Sequence, residues 1–146
     1  MRNLILAAAA LTMLSTPAWA DDALIAQGQK DFEGVCAKCH RIEGPDGIIG
    51  KSKIKTGPNM YGLPGRKAGS VETFSRSSGK TKYGKSLVAA GEKGLVWDAE
   101  QLEKFVRDPK GYLKDYLGEK RVKVKMAKQK KGDIAAIYAY LESISK

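Results

Sequence analysis

The sequence predicts a small all-α domain, three capped helices joined by long irregular loops and closed around something other than polypeptide. Three observations predict it. Three segments carry apolar residues at helical spacing behind an acidic cap. No region is rich in strands. The stretch from Arg41 to Ser86 is crowded with Gly, Pro, Ser and Lys and has no sustained period, so it reads as loop. A loop of that length suits a compact domain only where a non-protein group supplies part of the core.

The 146-residue chain opens on Arg2, an apolar run from Leu4 to Leu14, and the small-residue ending Ala18-Trp19-Ala20. This is the pattern of a secretory signal peptide cleaved after Ala20. The apolar run is too short to span a bilayer as an anchor. The expected organisation is therefore a leader over 1–20 and one domain over 21–146, exported to the periplasm, with no membrane insertion and no repeat. Removing the leader takes away Arg2 and no acid, so the formal charge of +10 becomes about +9.

Next comes "DDALIAQGQKDFEGV", which places Leu24, Gly28, Phe32 and Val35 on one helical face, with Asp21 or Asp22 available as N-cap. "WDAEQLEKFVRDP" has Asp98 and Gln101 in capping-box positions, Leu102, Phe105 and Val106 on one face, and Pro109 as a stop. "GDIAAIYAYLESI" offers Asp133 as cap and Ile134, Ile137, Tyr138, Leu141 and Ile144 as a stripe, with Tyr140 beside it. Short helical turns are expected at 85–90 and 110–117. "RVKVK" alternates and reads as a brief extended piece.

Both cysteines, Cys36 and Cys39, and the one histidine, His40, fall in "EGVCAKCHRI". A disulfide between residues three apart closes almost no loop and restrains the unfolded chain little. A thioredoxin-like pair expects a βαβ setting, whereas these flanks read helical. Zinc wants four ligands, and Cys and His together number three. What remains is C-x-x-C-H as a covalent haem c site, its two thiols adding to the vinyl groups and the adjacent imidazole turning in beneath the iron.

The order of that motif after an N-terminal helix, then "KTGPNMYGLPGRKAG", "GLVW", a helix ending in "RDPKGYL", "KVKM" and a C-terminal "AYL" helix, resembles class I cytochrome c, and within it the long-loop bacterial cytochrome c2 group. The likeness runs from about Gly28 to Leu141. It implies crossed N- and C-terminal helices, with Gly28 and Phe32 against Ile137 and Tyr140, and loops wrapping one haem.

By the resemblance His40 is the proximal ligand and Met126 the distal one. Past the leader, Met60 and Met126 are the methionines that remain; Met60 follows Pro58-Asn59, in a loop that the resemblance implies passes on the histidine side. The carbonyl of Pro58 is implied to accept from the imidazole N–H, fixing the ring. Arg66, Tyr83 and Trp97 match positions whose donors hold the haem propionates, which are costly to bury unpaired. Histidine with thioether raises reduction potential and leaves no open position for substrate. The implied function is one-electron transfer between membrane respiratory or photosynthetic complexes, such as a quinol-cytochrome c reductase and a terminal oxidase or reaction centre, by a monomer that is not an enzyme. Lys38, Lys53, Lys55, Lys123, Lys125 and Lys128 lie near the haem-bearing segments, where the family's lysines meet acidic partners. Nucleic acid explains the charge poorly, since the chain is exported and has no nucleic-acid motif. The rival reading is an open-haem protein, peroxidase-like or gas-binding, and a further one is a subunit of a larger oxidoreductase.

Overall fold

The computed structural model describes residues 18–71, 74–76, 79–81 and 83–145. The expected leader lies outside the described residues except for its last three positions, which form the start of a helix. Helix α1 spans Ala18–Asp31, so Asp21 and Asp22 sit inside it and neither is its N-cap, contrary to expectation. A single wide turn, Phe32–Cys36, follows it, with the Ala37 amide donating five residues back to the Phe32 carbonyl. That extra residue per turn re-aims Cys36 relative to a straight helix, as such insertions do at functional sites.

The stretch expected to be loop contains two small antiparallel hairpins. In one, β1 (Ile42–Gly44) pairs with β2 (Gly47–Ile49), Ile42 opposite Ile49. In the other, β3 (Phe74–Arg76) pairs with β4 (Gly79–Thr81), Phe74 opposite Thr81. Strands of three residues are too short to show a period of two, which is why they escape a sequence reading. The expected helical turns become full helices, α2 over Lys85–Glu92 and α4 over Pro109–Leu117. Between them lies α3, Ala99–Arg107, and the chain finishes with α5, Ile134–Ser143.

Caps follow the acidic residues. Asp98, Asp108 and Asp133 accept from the amides of Gln101, Gly111 and Ala136, starting α3, α4 and α5. Half of the expected capping box forms at α3, because the Gln101 side chain accepts from the Tyr112 hydroxyl instead of reaching back to Asp98. Pro109 sits in the first turn of α4, and Gly118, at φ +73°, ends it in the left-handed region where glycine costs least.

Helices α1 and α5 cross at Gly28. A β-carbon there would lie 1.9 Å from the Ala136 carbonyl oxygen and 2.9 Å from Tyr140 Cβ, so Gly28 packs on the α5 backbone at Ala136 and on Tyr140. Phe32 meets Tyr140 with ring centroids 6.3 Å apart. The crossing is tied at its end by Asp31, whose carboxylate accepts from the Asp133 amide and from the Gln27 side chain. Leu24, expected on the buried face, is 41 % exposed. Gly28→Ala should lower stability by about 2–3 kcal/mol although alanine gains roughly 1 kcal/mol in helix propensity, because backbone must move to admit the methyl. The denaturant midpoint of the purified protein measures this, and an unchanged midpoint would mean the crossing relaxes freely.

Candidate functional site

Residues 36–40 form one tight turn in which the amides of Cys39 and His40 both donate to the Cys36 carbonyl, at 3.1 and 3.0 Å. The turn presents two free thiols, Cys36 half-buried and Cys39 exposed. Burial, with Cys39 and Asp31 adding to it, pushes the Cys36 thiol up to about 11. It is therefore a thiol and not a thiolate near neutrality, which does not suit a catalytic dithiol. Among the described residues no three His, Cys, Asp or Glu side chains converge on a point, so the donor set does not suit zinc either.

The segment after β2 returns to clamp the imidazole. His40 Nδ1 lies 2.9 Å from the Pro58 carbonyl, an acceptor, so Nδ1 carries the proton and Nε2 presents a lone pair. Gly57, whose amide donates to the Cys39 carbonyl at 2.7 Å, lies flat on the ring. A β-carbon at that position would come within 2.3 Å of Cε1. Burial holds the imidazole below its ordinary pKa, and the Arg66 charge adds to that while the Pro58 bond opposes it. The ring is thus neutral, oriented and single-tautomer, the form in which histidine ligates a metal.

What holds Pro58 there is Asn59, a residue the sequence reading passed over. Its side chain accepts from the amides of Glu43 and Tyr61 and donates to the Glu43 carbonyl, fastening the loop to β1. An Asn after Pro is a turn signal, and that was the available clue. Arg66 completes the fastening by donating to the carbonyls of Tyr61 and Asn59 at 3.2 and 3.0 Å. Arg41, beside His40, pairs through Nε with Glu43, and its Nη1 is buried without a partner among the described residues.

Arg66 and Tyr83 are neighbours: burial pushes the Tyr83 phenol up and the Arg66 charge pulls it back. Trp97 is buried against Phe105, centroids 5.0 Å apart. Its main chain joins the same cluster, donating to the Arg66 carbonyl and accepting from the Gly65 amide and the Tyr138 hydroxyl. Thus Pro58 meets the His40 ring, Arg66 meets Tyr83, and the Trp97 main chain bonds to Arg66.

Met60 is buried on the histidine side, its amide donating to the Arg41 carbonyl at 2.9 Å. Met126 is half-buried and packs against the core from the segment between α4 and α5. A cavity of about 370 Å³ opens there, lined by Pro109, Lys110 and residues 124–128, with His40 not among its walls. Residues 121–126 alternate outward and inward as "RVKVK" suggested, with Val122, Val124 and Met126 turned in. Lys38, Lys53, Lys55, Lys123, Lys125 and Lys128 are all exposed. Lys128 differs from the rest in pairing with Asp108 at 2.9 Å, which neutralises part of its outward charge. No helix among the described residues is long and apolar enough to cross a membrane.

The donor set, one neutral imidazole nitrogen and two unpaired thiols in the same turn, with a half-buried thioether at Met126 in another segment, fits a covalently attached haem. No protein-family model matches the chain. It is 42 % identical to the cytochrome c2 of Rhodobacter capsulatus, over 99 % of this chain and 98 % of that protein. To the cytochrome c-550 of Paracoccus versutus it is 36 % identical, over 97 % of this chain and 88 % of the other. The solved cytochrome c2 of Rhodobacter capsulatus superposes with a TM-score of 0.68 at 38 % identity, covering 84 % of this chain and 98 % of that one. The ferric cytochrome c-550 of Paracoccus versutus gives 0.70 at 36 % identity, covering 84 % and 98 %.

Proposed function

Since the chain belongs to the class I cytochrome c family, in its cytochrome c2 and c-550 group, we propose that it shuttles single electrons in the periplasm between membrane respiratory or photosynthetic complexes. It is an electron carrier with one covalently attached haem c, and not an enzyme. When bound, that group supplies a one-electron iron couple. The chain's own residues attach it, set its potential and bring it to partners.

The observation that carries the assignment of site residues is the hold on His40. Gly57 packs against the ring and the Pro58 carbonyl accepts a hydrogen bond from Nδ1–H, which orients the ring and leaves Nε2 as the ligating nitrogen. Cys36 and Cys39, in the same turn, form the thioethers. Met126 would supply a thioether ligand to the iron, and its weak donor character would favour the reduced state. Arg66, Tyr83 and Trp97 hold the propionates with their polar ends. Burial lowers the Arg66 pKa by desolvation while the guanidinium stays charged, so a nearby carboxylate is strongly attractive in that low-dielectric setting. Export follows from the leader pattern, with maturation after Ala20 leaving one monomeric domain.

Lys38, Lys53, Lys55, Lys123 and Lys125 form the docking face, with Lys128 contributing less because Asp108 shares its charge. Electrostatic steering of this kind accelerates encounter more than it tightens the complex. The expected result is that electron transfer with a quinol-cytochrome c reductase, a terminal oxidase or a reaction centre slows severalfold as salt rises toward about 0.15 M, where charges more than about 8 Å apart are largely screened. Stopped-flow rates across an ionic-strength series test it. A flat or rising profile with each of these complexes would refute basic-face docking.

A further inference from the structure

We propose that Ser86 and Arg107 are positioning residues that clamp the segment carrying Met126 from both sides and fix how readily its thioether is displaced. The inference rests on Met126 as the distal ligand. Residues 120–130 have no regular secondary structure, so their backbone must be held by other parts of the chain.

On the near side stands Ser86, which, aromatic residues aside, is the one buried polar residue among the described residues. Its hydroxyl accepts from the Lys123 amide at 2.8 Å. Gly84, two residues earlier, lies so close to the same residue that a β-carbon would come within 2.1 Å of the Lys123 carbonyl oxygen. On the far side the Arg107 guanidinium donates through Nη2 to the Gly132 carbonyl at 2.9 Å and through Nη1 to the carbonyls of Gln129 and Lys131, each at 3.3 Å. The Gln129 amide donates in turn to the Val106 carbonyl at 3.0 Å. Between these anchors no amide of residues 124–128 donates to another group among the described residues. Met126 thus hangs three residues from each fastening.

The alternation of residues 121–126 shows what the clamp protects. Side chains along an extended segment change face at every residue, so a slip of one position turns Met126 outward and Lys125 inward. That slip would replace a thioether with an amine. Neither anchor alone forbids it, since a segment tied at one end can still shift, whereas two ties three residues either side leave no slack. Helix α2 and the end of α3 therefore act on the site through backbone register.

The test uses the haem-loaded ferric protein. The sulfur-to-iron charge-transfer band in the near infrared reports Met126 ligation, and the rate of cyanide binding reports how often the thioether leaves. Ser86→Ala should raise that rate about fivefold and Arg107→Ala about tenfold or more, as expected for losing one neutral and several charge-assisted hydrogen bonds. Ser86→Thr, which keeps the hydroxyl, should restore the parent rate. Arg107→Lys, which keeps the charge and loses the fork, should fall between, and it serves if Arg107→Ala does not load haem. Amide exchange at Lys123 should accelerate in Ser86→Ala while amides in α1 and α5 stay protected. Parent-like cyanide rates in both alanine variants, with the band present in the parent, would overturn the clamp and leave the ligand assignment standing. A parent without the band would overturn the Met126 reading and the clamp with it.

Discussion

Replacing Met126 by alanine is expected to leave the haem covalently attached, lower the reduction potential, and let carbon monoxide bind the reduced protein, which the parent excludes. The attachment survives because Cys36 and Cys39 lie in a separate turn, closed on itself by two amides at the Cys36 carbonyl. The potential falls because the weak thioether that favours the reduced state is gone, and water or a nearby amine such as Lys125 takes its place. For a one-electron couple each tenfold loss of that preference lowers the potential by about 59 mV. Redox titration and reduced-minus-carbon-monoxide spectra measure both effects. Met60→Ala should do neither, since Met60 is buried on the histidine side with its amide on the Arg41 carbonyl. The reverse pattern, or a parent that already binds carbon monoxide, would remove Met126 from the iron.

The paired change Cys36→Ala with Cys39→Ala has a larger structural consequence. It should leave the haem wholly extractable by acid acetone, while either single change keeps one thioether and a shifted absorbance. The protein without haem should be largely unfolded. Its helices are short, α2, α3 and α4 spanning 8, 9 and 9 residues, lengths that are marginal in water without tertiary packing. Far-ultraviolet circular dichroism through a thermal scan checks this. A cooperative transition with native ellipticity in the haem-free double variant would mean that the polypeptide closes its own core. Covalent haem surviving in it would place the attachment elsewhere.

The haem motif was legible because it is contiguous: the distances between two thiols and an imidazole are set by covalent spacing within five residues. Helices α3 and α5 were legible for a related reason, since their caps, Asp98 and Asp133, bond amides three residues ahead. The start of α1 was misjudged because an acidic pair can cap a helix or lie inside its first turns, and local sequence does not choose between them. Leu24 has helical spacing with Gly28 and Phe32 yet faces solvent, and its neighbour Ile25 is the residue that packs against the core from that turn.

By itself, then, the sequence determined the cofactor chemistry, the order of the principal helices and, through the family resemblance, which side chains to expect at the site. Tertiary structure alone decided how those groups are aimed. The grip of Gly57 on His40, the fastening of the Pro58 loop by Asn59 to β1, and the ties from Ser86 to Lys123 and from Arg107 to residues 129–132 join positions 16 to 37 residues apart. Such contacts leave no period and no short motif. A hydroxyl or guanidinium reads identically in sequence whether it faces water or holds a carbonyl, and only the packing that brings the two segments within about 3 Å gives it a role.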